Sequence, residues 1–448
     1  MADNTANKKK PLVTVEQKQD GTFVFHGGKG AANIVQLKNA ALADYGKCIC
    51  NYGVVLELCP DEKTAEKLNQ QIGNARFVRN NYLSQRQEYY NQNKKTLTVS
   101  EYKKEYLPKL KKENEFLKLS DKFALEHAVL NVDNAYKRFF NGTSGFPKYA
   151  SKQKPNGNSY TTSFTNNNIE LIMENNKPYV KLPKVGLVRF ILPKGKKIGD
   201  IFPAGTSIKT ATVSKSGHTY KVSICMETVM DKPVFEKRLY AKDILSVDLG
   251  LKHYGVFGNL DEAEVIKNPR WIQVHAKRLR RLQKAMSRKQ YDQKTHTGSK
   301  NWEKAKAKVA KEQRRTANQR KDFQHKLSRC IVDSCMAFVC EDLAVKNMMK
   351  NRHLSKAIAS VGWSSFLEKI KYKMEWAGKY FIKIDRWIAS SQTCHCCGHK
   401  NTDVKDLGVR TWTCPSCGAV HDRDENAQKN ICLEGIKILE QQGVTVIR

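Results

Sequence analysis

The sequence predicts a multidomain α/β protein that also carries a small β-barrel with a helical lobe. Three observations support this. From Ile244 onward, apolar strand-like runs (ILSVDLG, KHYGVFG, MAFVCE, YFIKID) are interrupted by helical stretches, the pattern of an α/β sheet. Between 155 and 230, short β-like runs (SYTTSF, NIELIM, PYVKLP, VGLVRFIL, IKTATVS, TYKVSICMETV) alternate with turn signals such as Glu174-Asn175-Asn176-Lys177 and Ser216-Gly217-His218. A chain of 448 residues is also long enough for several modules with cores of their own.

Taken in order, residues 1–46 hold a Lys run and the Gly-rich HGGKGAAN without sustained periodicity, and read as a partly flexible N-terminal extension. The run KCICNYGVVLEL (47–58) reads as a strand, and Pro60-Asp61 opens a helix with apolar residues at Ala65, Leu68, Ile72 and Phe77. Further helical patterns at 102–110 and 123–140, closed by Asn141-Gly142, make 61–149 a helical lobe. Residues 47–60 and 150–235 then form one β-rich unit, the first strand completing the sheet across the helical insertion. An α/β domain occupies 236–390 and 422–448, with a cysteine-rich insertion at 391–421. It contains a basic helical region from Trp271 to Ile331, read as two antiparallel helices separated by Thr295 to Ser299. A helix from Ser365 to Lys379 and a last helix from about Asp424 to Glu440 follow.

Composition narrows the function. Lys and Arg number 79 against 44 Asp and Glu, a net charge of +35 that suits a polyanionic partner such as nucleic acid. Hydrophobic content of 40% argues against a disordered basic tail. No apolar run is long enough to span a bilayer and the first ten residues lack a signal-peptide core, so the expectation is a cytoplasmic or nucleoid-associated protein without a membrane partner. The one-signed charge of KRLRRLQKAMSRK and EKAKAKVAKEQRRTANQRKDFQHKLSR repels itself unless a polyanion is near, which reads as a phosphate-tracking surface rather than a merely solvated hairpin. Tyr89, Tyr90, Tyr102, Tyr106 and Phe116 lie near cations and read as core packing, with base stacking the alternative.

Thirteen cysteines in a reducing compartment point to thiols and metal. Cys394 and Cys397, then Cys414 and Cys417, form two CxxC knuckles separated by sixteen residues, the spacing of a structural zinc ribbon. Four thiolates leave no open position, so the zinc is structural; His395 and Cys396 read as bystanders. Three acids stand where a carboxylate is costly unless used: Asp248 in ILSVDLG, Glu341 ending MAFVCE, and Asp424 at the start of the last helix. Together they suit two divalent ions for phosphodiester hydrolysis. Singly, each has an ordinary alternative: Asp342, Asp422 and Asp424 as helix caps, Asp248 as a turn residue.

The segments VDLG with Lys252, CEDLAVKNM, SVGWSSF with KMEWAGK, SSQTCHCCG and TWTCPSCGAVHDRDENAQKNI resemble, in order, the signature segments of TnpB, the transposon-encoded RNA-guided nuclease, and of the related miniature type V CRISPR effectors. IGNARFVRNNYLSQR and GFPKYASKQK extend the likeness over about residues 50–445. The resemblance implies a RuvC nuclease domain of the RNase H fold with Asp248, Glu341 and Asp424 as catalytic ligands of two Mg²⁺ ions. Asp424 is favoured over Asp422 because it precedes Asn426-Ala427. It further implies a wedge-type β-rich domain, a recognition lobe, and a zinc ribbon that loads the target strand. The expected partners are guide RNA and double-stranded target DNA, with the protein a monomer or homodimer. Pairing would then read sequence while protein reads backbone shape and a short adjacent motif.

Two features depart from the family pattern: the longer extension before Lys47, and Gln428 where a second Ala is common. With no His-Asn-His element present, a single site is expected to cut both strands in sequence, leaving a staggered break. The alternatives are a guided DNA-binding repressor without cleavage and a transposon-associated DNA-processing protein.

Overall fold

Alternation of inward and outward side chains organises the N-terminal half of the chain. In the computed structural model, which describes residues 13–28, 33–152, 157–295, 297–406 and 408–448, two units emerge, Met1–Asp231 and Lys232–Arg448. The first is built on the strand expected to complete the sheet. After β1 (Val13–Gln17) and β2 (Phe23–Gly27), strand β3 (Lys47–Leu58) buries Leu56 and Leu58 and leaves Val55 exposed. It pairs antiparallel with β9 (Thr219–Asp231) along its whole length and with β7 (Gly186–Ile191) at its end. With β4 (Ser159–Ser163), β5 (Glu170–Glu174), β6 (Lys177–Leu182) and β8 (Ser207–Ser216), the order is β4-β8-β9-β3-β7-β6-β5. A barrel was expected; among the described residues the ladders give a seven-stranded sheet with β4 and β5 at its two ends.

The chain leaves this sheet at Leu58 for the helix Glu62–Asn93, started by Asp61, whose carboxylate accepts the Thr64 amide. Leu68, Ile72, Ala75, Val78 and Tyr82 recur at helical spacing and pack against Leu125, Val129 and Val132 of the helix Lys122–Phe140. Inside this lobe Arg86 pairs with Asp133 at 2.9 Å and lies 4.2 Å from the Tyr136 ring centre. Tyr102 is fully buried, and Tyr106 stacks on it.

The stretch before Lys47 differs from the extension expected. Within its described residues, β1 and β2 form an antiparallel hairpin with Val15 opposite Phe25, and a helix spans Ile34–Ala41. Lys38 binds Glu227 of β9 at 2.5 Å, and Asn39 accepts the amide of Ile49. Five-residue strands among glycines and lysines leave little periodic signal, and the partner of Lys38 is far away in sequence.

The second unit opens with β10 (Arg238–Tyr240) and centres on a sheet ordered β13-β12-β11-β16-β17. It consists of β11 (Ile244–Asp248), β12 (His253–Gly258), β13 (Ala263–Lys267), β16 (Ala337–Glu341) and β17 (Tyr380–Ile384); the short pair β14 (Tyr291–Asp292) and β15 (Thr297–Gly298) lies in a connection. β11, β16 and β17 run parallel, β12 is antiparallel to β11, and β13 is antiparallel to β12. AEVIK of β13 gave no strand signal, as expected of a largely exposed edge. Along β16, Phe338 and Cys340 face Trp363, Phe366, Ile370 and Met374 of the helix Trp363–Trp376. Ala337 and Val339 face Ile431, Ile436 and Leu439 of the helix Arg423–Gln441. Both faces are thus covered by helices, which explains why the inner strands read as continuous apolar runs. Gly435 permits the close approach, since a Cβ there would stand 2.4 Å from Val339.

The basic helices run over Trp271–Ser287 and Lys300–Ser334, so their connection is longer than expected and includes the β14–β15 pair. Buried Glu312 ties them together through His275 at 2.8 Å and Arg278 at 3.1 Å, while Lys277, Arg280, Arg281, Lys304, Lys308 and Lys311 stay exposed. Near the chain's end, β18 (Thr411–Thr413) and β19 (Val420–Asp422) form a small hairpin, and β20 (Thr445–Ile447) pairs with β10. No helix among the described residues is long and apolar enough to cross a membrane.

Candidate active site and metal centre

The four cysteines of the two CxxC knuckles converge. All four sulfurs lie within 4.8 Å of one another, with Cys394 facing Cys417 and Cys397 facing Cys414, each at 3.6 Å. The two knuckles are built alike. In one, the Gly398 amide donates to Cys394 O and the Cys394 amide to His399 O; in the other, the Gly418 amide donates to Cys414 O and the Cys414 amide to Ala419 O. Gly398 and Gly418 have φ of 76° and 71°, the left-handed turn that lets each second thiol face the first. Burial opposes ionisation of Cys414, yet the amides of Cys417 and Ser416 donate to its sulfur and bring its thiol down to about 6. This donor set suits a tetrahedral ion of the zinc type. Trp412 and Val404 cover it.

His395 is engaged with Asn426, and Cys396 is exposed. His421, which carried no sequence signal, is buried with Nε2 3.1 Å from Cys394 Sγ, so Cys394, Cys396 and His421 form a second, overlapping group.

The three acids meet at one end of the parallel strands. Asp248 ends β11 and Glu341 ends the neighbouring β16, the end at which open α/β sheets place their chemistry. Asp424 lies in the first turn of the helix that covers the sheet. Asp422 is that helix's cap, accepting the amides of Asp424 and Glu425 at 3.0 Å, and Asp342 is held by Lys383 and Arg386. The cap alternative therefore belongs to Asp422, not Asp424. Burial, then the charges of Glu341 and Asp424, raise the Asp248 carboxyl to about 7 against the pull of Arg423 and Arg410. Burial also raises Glu341, opposed by the hydroxyl of Ser390, which donates to Oε1 at 2.8 Å. Hard oxygen donors that repel one another in a poorly solvated place fit divalent cations of the Mg²⁺ type.

Several residues around this cluster escaped the sequence reading. Arg410 approaches Asp424 at 3.4 Å and 3.5 Å. Asn426 and Asn430, successive turns of the Asp424 helix, donate to Thr393 O at 2.7 Å and 2.5 Å, and Asn430 also to Ser390 O. The helix bearing Asp424 thereby grips the neck of the cysteine insertion. Gln428, one turn after Asp424, donates to Ser246 Oγ at 2.7 Å and to Asn259 O, fastening that helix to the strand bearing Asp248. The polar side chain at this departure from the family pattern was visible in sequence; its partners were not.

Three family models match the chain: "Cas12f1-like, TNB domain" over residues 363–431, "Probable transposase" over 223–352, and "Helix-turn-helix domain" over 51–95. A Streptomyces pristinaespiralis protein named as an RNA-guided DNA endonuclease is 32% identical over 84% of this chain and 87% of its own. InsQ of Escherichia coli K12, similarly named, is 25% identical over 86% and 92%. A Cas12f1 solved by cryo-EM with single-guide RNA and target DNA shares the fold at a TM-score of 0.54 and 14% identity, covering 82% of each chain. With a relative this similar spanning most of both sequences, the chain belongs to the TnpB-like family of RNA-guided DNA endonucleases, to which Cas12f1 is related.

Proposed function

We propose that the protein is a guide-RNA-directed endonuclease that hydrolyses target DNA beside a short adjacent motif. The observation that carries this reading is the convergence of Asp248, Glu341 and Asp424 at the C-terminal ends of β11 and β16, in a chain whose relatives bear that activity in their names. Asp248, Glu341 and Asp424 would hold two Mg²⁺ ions. Bound there, the ions supply an activated water and stabilise the leaving oxygen. Ser390 orients Glu341, and Arg410 faces Asp424 from the cysteine insertion, where its guanidinium suits a phosphate oxygen. Cys394, Cys397, Cys414 and Cys417 would hold a structural Zn²⁺ that keeps Arg410 and the neck at Ser390 in register.

In this reading, residues 236–390 and 422–448 are the RuvC domain, 391–421 the target-loading ribbon, 47–60 and 150–235 the wedge, and 61–149 the recognition lobe. The exposed cations of the helical hairpin serve the nucleic-acid backbone, and the protein works in the cytosol on chromosomal or mobile DNA. One site cuts the two strands in turn.

The test is cleavage of a matched duplex library by protein purified with RNA from its own locus. Mg²⁺-dependent cutting beside a fixed motif is expected, and Asp248→Ala should reduce it by roughly 10³-fold or more. Undiminished cutting by that variant would remove Asp248 from the site. Binding without cutting by the unaltered protein would replace the nuclease with a guided repressor.

A further inference from the structure

Trp387 is 86% exposed, more than any other large apolar side chain among the described residues. It is not on a loose segment. The chain turns tightly after β17: the Ile388 amide donates to Asp385 O at 3.3 Å, and the Trp387 amide to Asp385 Oδ1 at 2.8 Å. This side-chain-braced turn presents residue 387 at its tip. The flanking residues are anchored. Arg386 binds Asp342, next to Glu341; Ile388 packs against the sheet core; Ser390 bonds Glu341 itself at 2.8 Å. Asn430 fixes the Ser390 carbonyl from the Asp424 helix. Trp387 thus carries an indole into solvent from an anchored turn, three residues from the group that holds Glu341, so its Cα lies within about 11 Å of Ser390 Cα. Burial would favour an indole by several kcal/mol over such exposure, and nothing else in the turn needs an aromatic ring.

We propose that Trp387 is the stacking platform for an unpaired nucleobase of the DNA strand being cut, within a few nucleotides of the scissile bond. The inference rests on the endonuclease reading and adds a specificity to it. A base inside a duplex hides its faces in the stack, whereas an extruded or single-stranded base offers one to the indole. Every base has such a face, so the contact selects for strand state and not for sequence. Half-exposed Lys383 and Arg386, on the strand and turn that lead to Trp387, supply cations for the adjoining phosphates, although both also serve Asp342.

The experiment uses the full-length protein with its co-purified RNA and a matched target duplex, measured as single-turnover cleavage in Mg²⁺ and as target binding in Ca²⁺. Trp387→Ala and Trp387→Leu should slow cleavage roughly tenfold to a hundredfold with binding little changed, while Trp387→Phe retains most of the rate. An abasic site walked along the cut strand should slow the unaltered protein at one position near the cut by a similar factor, and the Ala variant should be insensitive there. Equal rates for Ala and wild type, or no coupled abasic position, would overturn the proposal. So would a change in oligomeric state in the Ala variant, which would make the indole a protein contact. No cutting by the wild-type protein would instead sink the endonuclease reading on which this rests.

Discussion

The second unit holds two candidate metal centres made on opposite principles. In the cysteine insertion all four ligands come from one short stretch, and two matching turns bring their sulfurs within 4.8 Å. In the acidic cluster the three acids come from β11, β16 and the last helix, segments far apart in the chain. Soft thiols tolerate proximity because they can share protons. Neighbouring carboxylates repel, and here Ser390 meets Glu341 and Arg410 meets Asp424, while burial and the charges of the other two raise the Asp248 carboxyl to about 7. In the proposed reading the first centre is a folding device, whereas the second takes its geometry from the surrounding fold. Opposing demands of this kind separate structural from catalytic metal sites.

The largest effect that would break the comparison comes from the ribbon. Cys414→Ser should lower the zinc content by one ion per chain and expose 391–421 to protease, because ligand binding and local folding are one event there. Cleavage should fall with it, since Arg410 and the neck at Ser390 lose their frame. Full zinc content in that variant, read by elemental analysis, would mean that His421 and Cys396 can complete the site instead.

A smaller effect should follow at the neck. Ser390→Ala removes the hydroxyl that orients Glu341 and should raise the Mg²⁺ concentration needed for cleavage about 10–100-fold while zinc content stays whole. An unchanged Mg²⁺ titration would show that Glu341 needs no such support.

The smallest effect concerns stability. The Asp248 carboxyl is raised from 3.8 to about 7, so the stability it permits is complete below about pH 4, declines as pH rises towards 7, and stays lost above. In metal-free protein the Tm of Asp248→Asn should therefore exceed that of wild type by a few degrees near pH 8, with the gap closing near pH 4. Mg²⁺ should raise the wild type alone. Equal Tm values in chelator at both pH values would show that the acids do not repel as argued.

These contrasts also explain what could be read beforehand. The ribbon was legible because its spacing is local: Cys394, Cys397, Gly398, Cys414, Cys417 and Gly418 carry the whole geometry. The strands of both sheets were legible from their runs, except the exposed β13 and the hairpin before Lys47. Asp248 and Glu341 were legible as acids at strand ends. Asp424 and Asp422 were separable by family pattern, and the cap geometry then gives Asp422 a separate role. The indole of Trp387 was in plain view, but its exposure was not.

The order of strands and helices, the polyanion-seeking charge and the paired knuckles are written in periodicity, composition and cysteine spacing, none of which needs a partner distant in the chain. Only the tertiary structure decided that β3 lies between β9 and β7, that Lys38 seals Glu227, that Ser390 holds Glu341, and that Arg410 faces Asp424. Those contacts join segments distant in the chain. No local pattern records such pairings, because strand register and side-chain partners are fixed by what packs together in space.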